Sequence, residues 1–108
     1  MSLDLQEKIR RLEQLVELDP NDATGLFMLG KLYLDAGHGP LAAEVLERCI
    51  AAKPDYSAAY RFCGDAWRKS GETGRARDVY ERGIAIADAN GDLQTVKEMK
   101  VFLAKLSE

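Results

Sequence analysis

The sequence is poor in the residues that do chemistry. Histidine and tryptophan occur once each, cysteine twice and proline three times in 108 residues. The single imidazole, His38, lies in a Gly37-His38-Gly39 turn with no second histidine to share a metal, so it reads as a solvent-exposed turn residue. Cys49 and Cys63 are too few for a disulfide scaffold, and their helical phase puts both on packing faces, so two buried thiols in a reducing, cytoplasmic setting are expected. Apolar runs are only a few residues long, which excludes a bilayer-spanning helix. Met1-Ser2-Leu3-Asp4 shows no basic stretch ahead of an apolar one, so no secretory signal is expected. Sustained apolar/polar alternation is missing too, which removes strands and any phosphate loop that follows one. Fifteen basic against eighteen acidic side chains leave a net charge of −3, a poor match to nucleic acid. No enzyme, no cofactor and no metal site is expected from such a chain, and no membrane or nucleic-acid partner.

What is present is helical spacing. At 46% apolar the chain folds rather than staying disordered. Leu5, Ile9, Leu12 and Val16 step by 4, 3 and 4, with Ser2 as a candidate cap and Pro20 as a stop. Further helices are predicted from Asp22 to near Gly37, from Pro40 to near Lys53, from Ser57 to Ser70, from Gly74 to Asp88, and from Asp92 onward. The last carries Leu93, Val96, Met99, Leu103 and Leu106 on one stripe. Its Lys97, Lys100 and Lys105 are expected to face water. Short connections force consecutive helices antiparallel. The expectation is an all-α chain of six helices, with the helix of residues 3–19, a hairpin over 23–56, a second over 57–90 and a closing helix over 92–106.

The hairpins repeat. Pro20 and Pro54, Gly30 and Gly64, Gly37 and Gly71, Ala42 and Ala76, Val45 and Val79, and Ile50 and Ile84 are each 34 residues apart. Leu26, Leu29, Gly30, Tyr33, Ala42, Leu46 and Pro54 in one unit, and Tyr60, Cys63, Gly64, Trp67, Ala76 and Tyr80 in the next, resemble the tetratricopeptide repeat. Asp88 stands where that family usually has proline. The resemblance implies a right-handed α–α superhelix whose first helices line a concave binding face, with residues 3–20 as half of an earlier unit and 92–106 as a cap. Gly30 and Gly64 cost about 1 kcal/mol each inside helices, so a close approach of packed helices is expected there.

Stacked hairpins curve, and helical phase leaves one face uncommitted to repeat packing. Phe27, Lys31, Leu34, Arg61, Phe62, Asp65 and Arg68 are the candidate groove residues, with Thr24, Asp35, Ala58 and Lys69 beside them. Apolar pockets interleaved with cations suit an amphipathic helix or an extended peptide with acidic character. Some family members clamp a peptide's terminal carboxylate. The matching positions here hold Phe27, Lys31, Phe62, Asp92 and Val96, with one cation among them, so that mode is not expected. A protein or peptide partner is the leading expectation. The alternatives are a homodimer formed through Val101 and Phe102 on the last helix, and a helical-repeat RNA binder.

Overall fold

The computed structural model describes residues 3–107, and Ser2, the candidate first cap, lies outside them. Six helices follow in order: α1 (Leu5–Leu18), α2 (Ala23–Asp35), α3 (Gly39–Ala52), α4 (Ser57–Lys69), α5 (Thr73–Ala89) and α6 (Leu93–Lys105). No strand occurs among the described residues. Asp4 caps α1, its carboxylate accepting from the Glu7 N–H at 2.8 Å and satisfying one of the donors a helix start leaves open. The third helix starts at Gly39, one residue ahead of the expected Pro40.

The turns show why the period is 34. Each of α2, α4 and α5 ends on a glycine with positive φ: Gly37 and Gly71 at 80°, Gly91 at 73°. The amide after each glycine bonds back to the carbonyl five residues earlier: His38 to Tyr33 at 2.8 Å, Glu72 to Trp67 at 2.9 Å and Asp92 to Ala87 at 2.8 Å. That pattern satisfies the last carbonyls of the helix and needs a left-handed residue, which glycine adopts without a Cβ penalty.

Between turns the repeat is a repeat of packing. A Cβ on Gly30 would lie 2.5 Å from Leu46 Cγ, and one on Gly64 would overlap the Tyr80 ring. Leu46 and Tyr80 are 34 residues apart, so the same cleft on the first helix of each hairpin receives the same knob from the second, leucine once and tyrosine once. Both knobs are fully buried. A second repeated contact ties neighbouring units. Tyr33 donates its hydroxyl to Glu13 at 2.5 Å, and Trp67 donates its indole N–H to Glu47 at 3.1 Å. Since Glu13 and Glu47 are also 34 apart, α1 stands to α2 as α3 stands to α4. Gly83 closes the far end, where a Cβ would meet Tyr60 and the sulfur of Met99 from α6.

Candidate functional site

The first helix of each hairpin and the closing helix, α2, α4 and α6, lie side by side. Phe27 and Phe62 meet edge to face at 5.5 Å between ring centres, and Tyr56, just ahead of α4, lies 4.8 Å from Phe27. Such pairs add about 0.5–1.5 kcal/mol beyond their burial. All three rings stay half-buried, so they pack on one another and still show a face to solvent. Phe102 of α6 stacks on Tyr80 at 6.1 Å. Cations sit over these rings. Lys31 Nζ is 5.4 Å from the centre of Phe27 and 5.1 Å from that of Phe62. Arg61 lies 4.6 Å over Phe62 and 5.5 Å over Phe102, and Arg68 lies 4.8 Å over Phe102.

Three of the candidate residues behave differently from expectation. Asp65, expected on the open face, is buried at 6% exposure. A buried carboxylate persists only with partners, and this one has three: the Tyr80 hydroxyl donates to it at 2.5 Å, while Arg61 and Arg68 approach at 3.5 and 3.6 Å. Arg61 and Arg68, expected as exposed cations, are therefore half-buried and held on the face by a shared anion. Arg61 also reaches Glu98 of α6 at 3.0 Å. Its Nε is buried and makes no hydrogen bond, because the approach to Asp65 lacks hydrogen-bond geometry. Lys31 has no carboxylate partner among the described residues. Leu34 sits apart, half-buried in a small cavity of about 120 Å³ with Gly37, Pro40 and Lys69.

Tyr56 and Glu98 complete this face, and helical phase did not single them out, whereas Lys105, expected to face water, lies 5.6 Å over Phe102. Tyr56 precedes its helix, so phase says nothing of it, and Phe27 aligns in the repeat with Arg61 rather than with Phe62. The two positions at the last helix that match the family's clamp are committed elsewhere. Val96 is buried. Asp92 caps α6, accepting from the Thr95 N–H at 3.3 Å and from the Ser57 hydroxyl at 2.8 Å. Those bonds hold its carboxyl below the usual carboxylate range.

Chemistry elsewhere is sparse. Among the described residues no three His, Cys, Asp or Glu side chains gather to hold a metal ion, and no helix is long and apolar enough to cross a membrane. Cys49 and Cys63 are free and buried. Cys49 donates to the Ala23 carbonyl at 3.3 Å and Cys63 to Glu47 at 3.4 Å. Burial pushes the Cys49 thiol from 9.0 up to about 11, and burial and then Glu47 raise Cys63 as well. A shift of that size makes the Cys49 thiolate about a hundredfold scarcer at neutral pH. A disulfide reagent at pH 8 is thus expected to react with neither thiol on the timescale of free cysteine, and with both at once in denaturant. Rapid stoichiometric labelling of the folded chain would show that these positions are open.

A family model of the tetratricopeptide repeat matches residues 27–91. A TPR repeat-containing protein of Pseudomonas aeruginosa, PA0015, is 44% identical over 98 residues, spanning 91% of this chain and 93% of that protein. The solution structure of BPP2914 from Bordetella parapertussis matches with a TM-score of 0.79 and 31% identity, over 99% of this chain and 90% of that one. The TPR2B domain of yeast Sti1, solved as a complex with pHsp70, has the same fold at a TM-score of 0.89 and 16% identity, over 96% of this chain and 83% of that one.

Proposed function

The chain belongs to the tetratricopeptide repeat family, and from that premise we propose that it is a non-catalytic interaction module that takes a peptide or helix of another protein on the face of α2, α4 and α6. The observation that carries this reading is the set of half-buried rings, Tyr56, Phe27, Phe62 and Phe102, roofed by cations. Aromatic and arginine side chains that are held rigid are the residues that dominate protein interfaces. The yeast domain of the same fold, in its complex with pHsp70, supports a peptide-binding use of the architecture. The ligand chemistry follows from the charges. Arg61 and Arg68 are already shared with Asp65 and Glu98, whereas Lys31 is not, so a segment pairing apolar side chains with a carboxylate near Lys31 fits best. Buried free thiols accord with a cytoplasmic location.

The test selects peptides from a random display library on the full chain and measures their affinity by fluorescence anisotropy. Phe62→Ala and Lys31→Glu are each expected to weaken the selected peptides about tenfold or more while circular dichroism stays unchanged. Peptides that bind both variants as tightly as the parent chain would move recognition off this face.

A further inference from the structure

The flank of the array formed by α1 and α2 carries an open trough, and the repeat itself says what shape fits it. A shift of 34 residues maps α1 onto α3 and α2 onto α4. The place against α3 and α4 that corresponds to this trough is filled by α2, so the trough is a seat for one helix. Its two lobes, about 370 and 320 Å³, share Leu12 and Met28. Leu15 is 57% exposed, Leu18 83% and Met28 49%, half of the large apolar side chains exposed among the described residues. A patch that concentrates them marks an interaction surface. The expected alternative, the pair Val101 and Phe102 on α6, is smaller: Phe102 is half-buried against Tyr80, and the other exposed apolar residue of that helix, Leu93, lies two turns away at its start.

The outer face of α1 identifies the occupant. Lys8, Leu12, Leu15 and Asp19 step by 4, 3 and 4, the spacing of a helix-pairing seam. All four line the trough, Lys8 at one lobe, with Lys31 and Asp35, and Asp19 at the other, with Asp22. The seam is basic at one end, acidic at the other and leucine between. In an antiparallel pair, the register that sets Leu12 against the second copy's Leu15 also sets Lys8 against the second copy's Asp19, and both contacts occur twice. A parallel pair sets lysine on lysine and aspartate on aspartate. A two-fold contact requires a patch complementary to itself, and this one is. We propose that a second copy of this chain docks here, its α1 running antiparallel along α1 and against Met28 of α2.

The full chain is expected to sediment as a dimer whose dissociation depends on concentration between about 1 μM and 1 mM. Leu15→Glu is expected to give a monomer with unchanged helicity, since the side chain already faces solvent. Lys8→Asp and Asp19→Lys are each expected to weaken association about tenfold or more, by placing like charges opposite each other at both ends. The double variant is expected to recover association to within a few fold of the parent chain. A chain that stays monomeric throughout overturns the proposal and leaves the trough to a foreign helix. So does a dimer indifferent to Leu15→Glu, or a double variant as weak as either single one. Lys31 borders both surfaces, but Leu15, Lys8 and Asp19 are not among the residues of the peptide-binding face, so the variants at these three positions test the dimer apart from the peptide, whose own test is Phe62→Ala.

Discussion

Tyr80→Ala is expected to remove most of the stability of the fold. The ring is fully buried, fills the cleft over Gly64 and stacks on Phe102. Truncating a buried aromatic costs about 3–5 kcal/mol in lost burial and residual cavity. The hydroxyl adds to this, because it is the closest donor to buried Asp65, and a buried acceptor left short of a partner costs about 1–3 kcal/mol. A domain of this size holds about 5–15 kcal/mol in total. The midpoint in urea is expected to fall accordingly, and Tm by something on the order of 15–25 °C. Tyr80→Phe separates the two contributions, since it keeps the ring and loses only the hydroxyl. A loss under about 1 kcal/mol for Tyr80→Ala would mean that the second hairpin does not pack around this residue.

Gly64→Ala is expected to destabilise the protein by about 1–3 kcal/mol, against the ordinary preference of helices for alanine. The added methyl would sit inside the Tyr80 ring. That ring cannot swing away, because Phe102 lies on its face and Asp65 and Arg68 hold its hydroxyl. Gly30→Ala makes the matching overlap with Leu46, whose branched end can change rotamer, so a smaller loss is expected there. Gly74, in the first turn of α5, has nothing within 4 Å of the same position. Gly74→Ala is expected to stabilise by up to about 1 kcal/mol. One substitution with opposite signs at two helical glycines, read by urea denaturation, isolates the knob-and-cleft contact from helix propensity. Equal signs would dissolve the distinction.

The all-α fold was legible because turns and small residues are punctuation that recurs. Gly37 and Gly71 mark left-handed helix ends, and Gly30 and Gly64 mark clefts, all in one register. The proposed binding face was legible only by helical phase, and phase reports direction rather than burial. It placed Phe27, Lys31 and Phe62 where they are. It could not foresee that Asp65, in the register of exposed Lys31, turns inward, because the cause is the change from Leu46 to Tyr80 on another helix. A hydroxyl brought into the cleft of the second unit recruits the carboxylate, and the carboxylate recruits the two arginines. Tyr56 and Glu98 join the face through contacts between elements far apart in the chain, which no local pattern carries. The trough between α1 and α2 was half visible: Lys8 stands in the register of Ala42, and a long charged side chain is out of place in a cleft built for a small one.

Tyr80 belongs to α5, on the far side of the hairpin from the ring face, yet its hydroxyl ends on the anion that steadies Arg61 and Arg68. Occupancy outside and cohesion inside are thereby wired to one carboxylate. A guest that merely covers the rings raises the melting point as mass action requires. A guest that draws one arginine toward its own acid leaves Asp65 to Tyr80 and the other arginine, and that loss is carried in a weaker affinity and so in a smaller rise. Asp65→Asn would thus sort the guests, since it releases both arginines and should tighten a guest that takes one relative to a guest that only covers the rings.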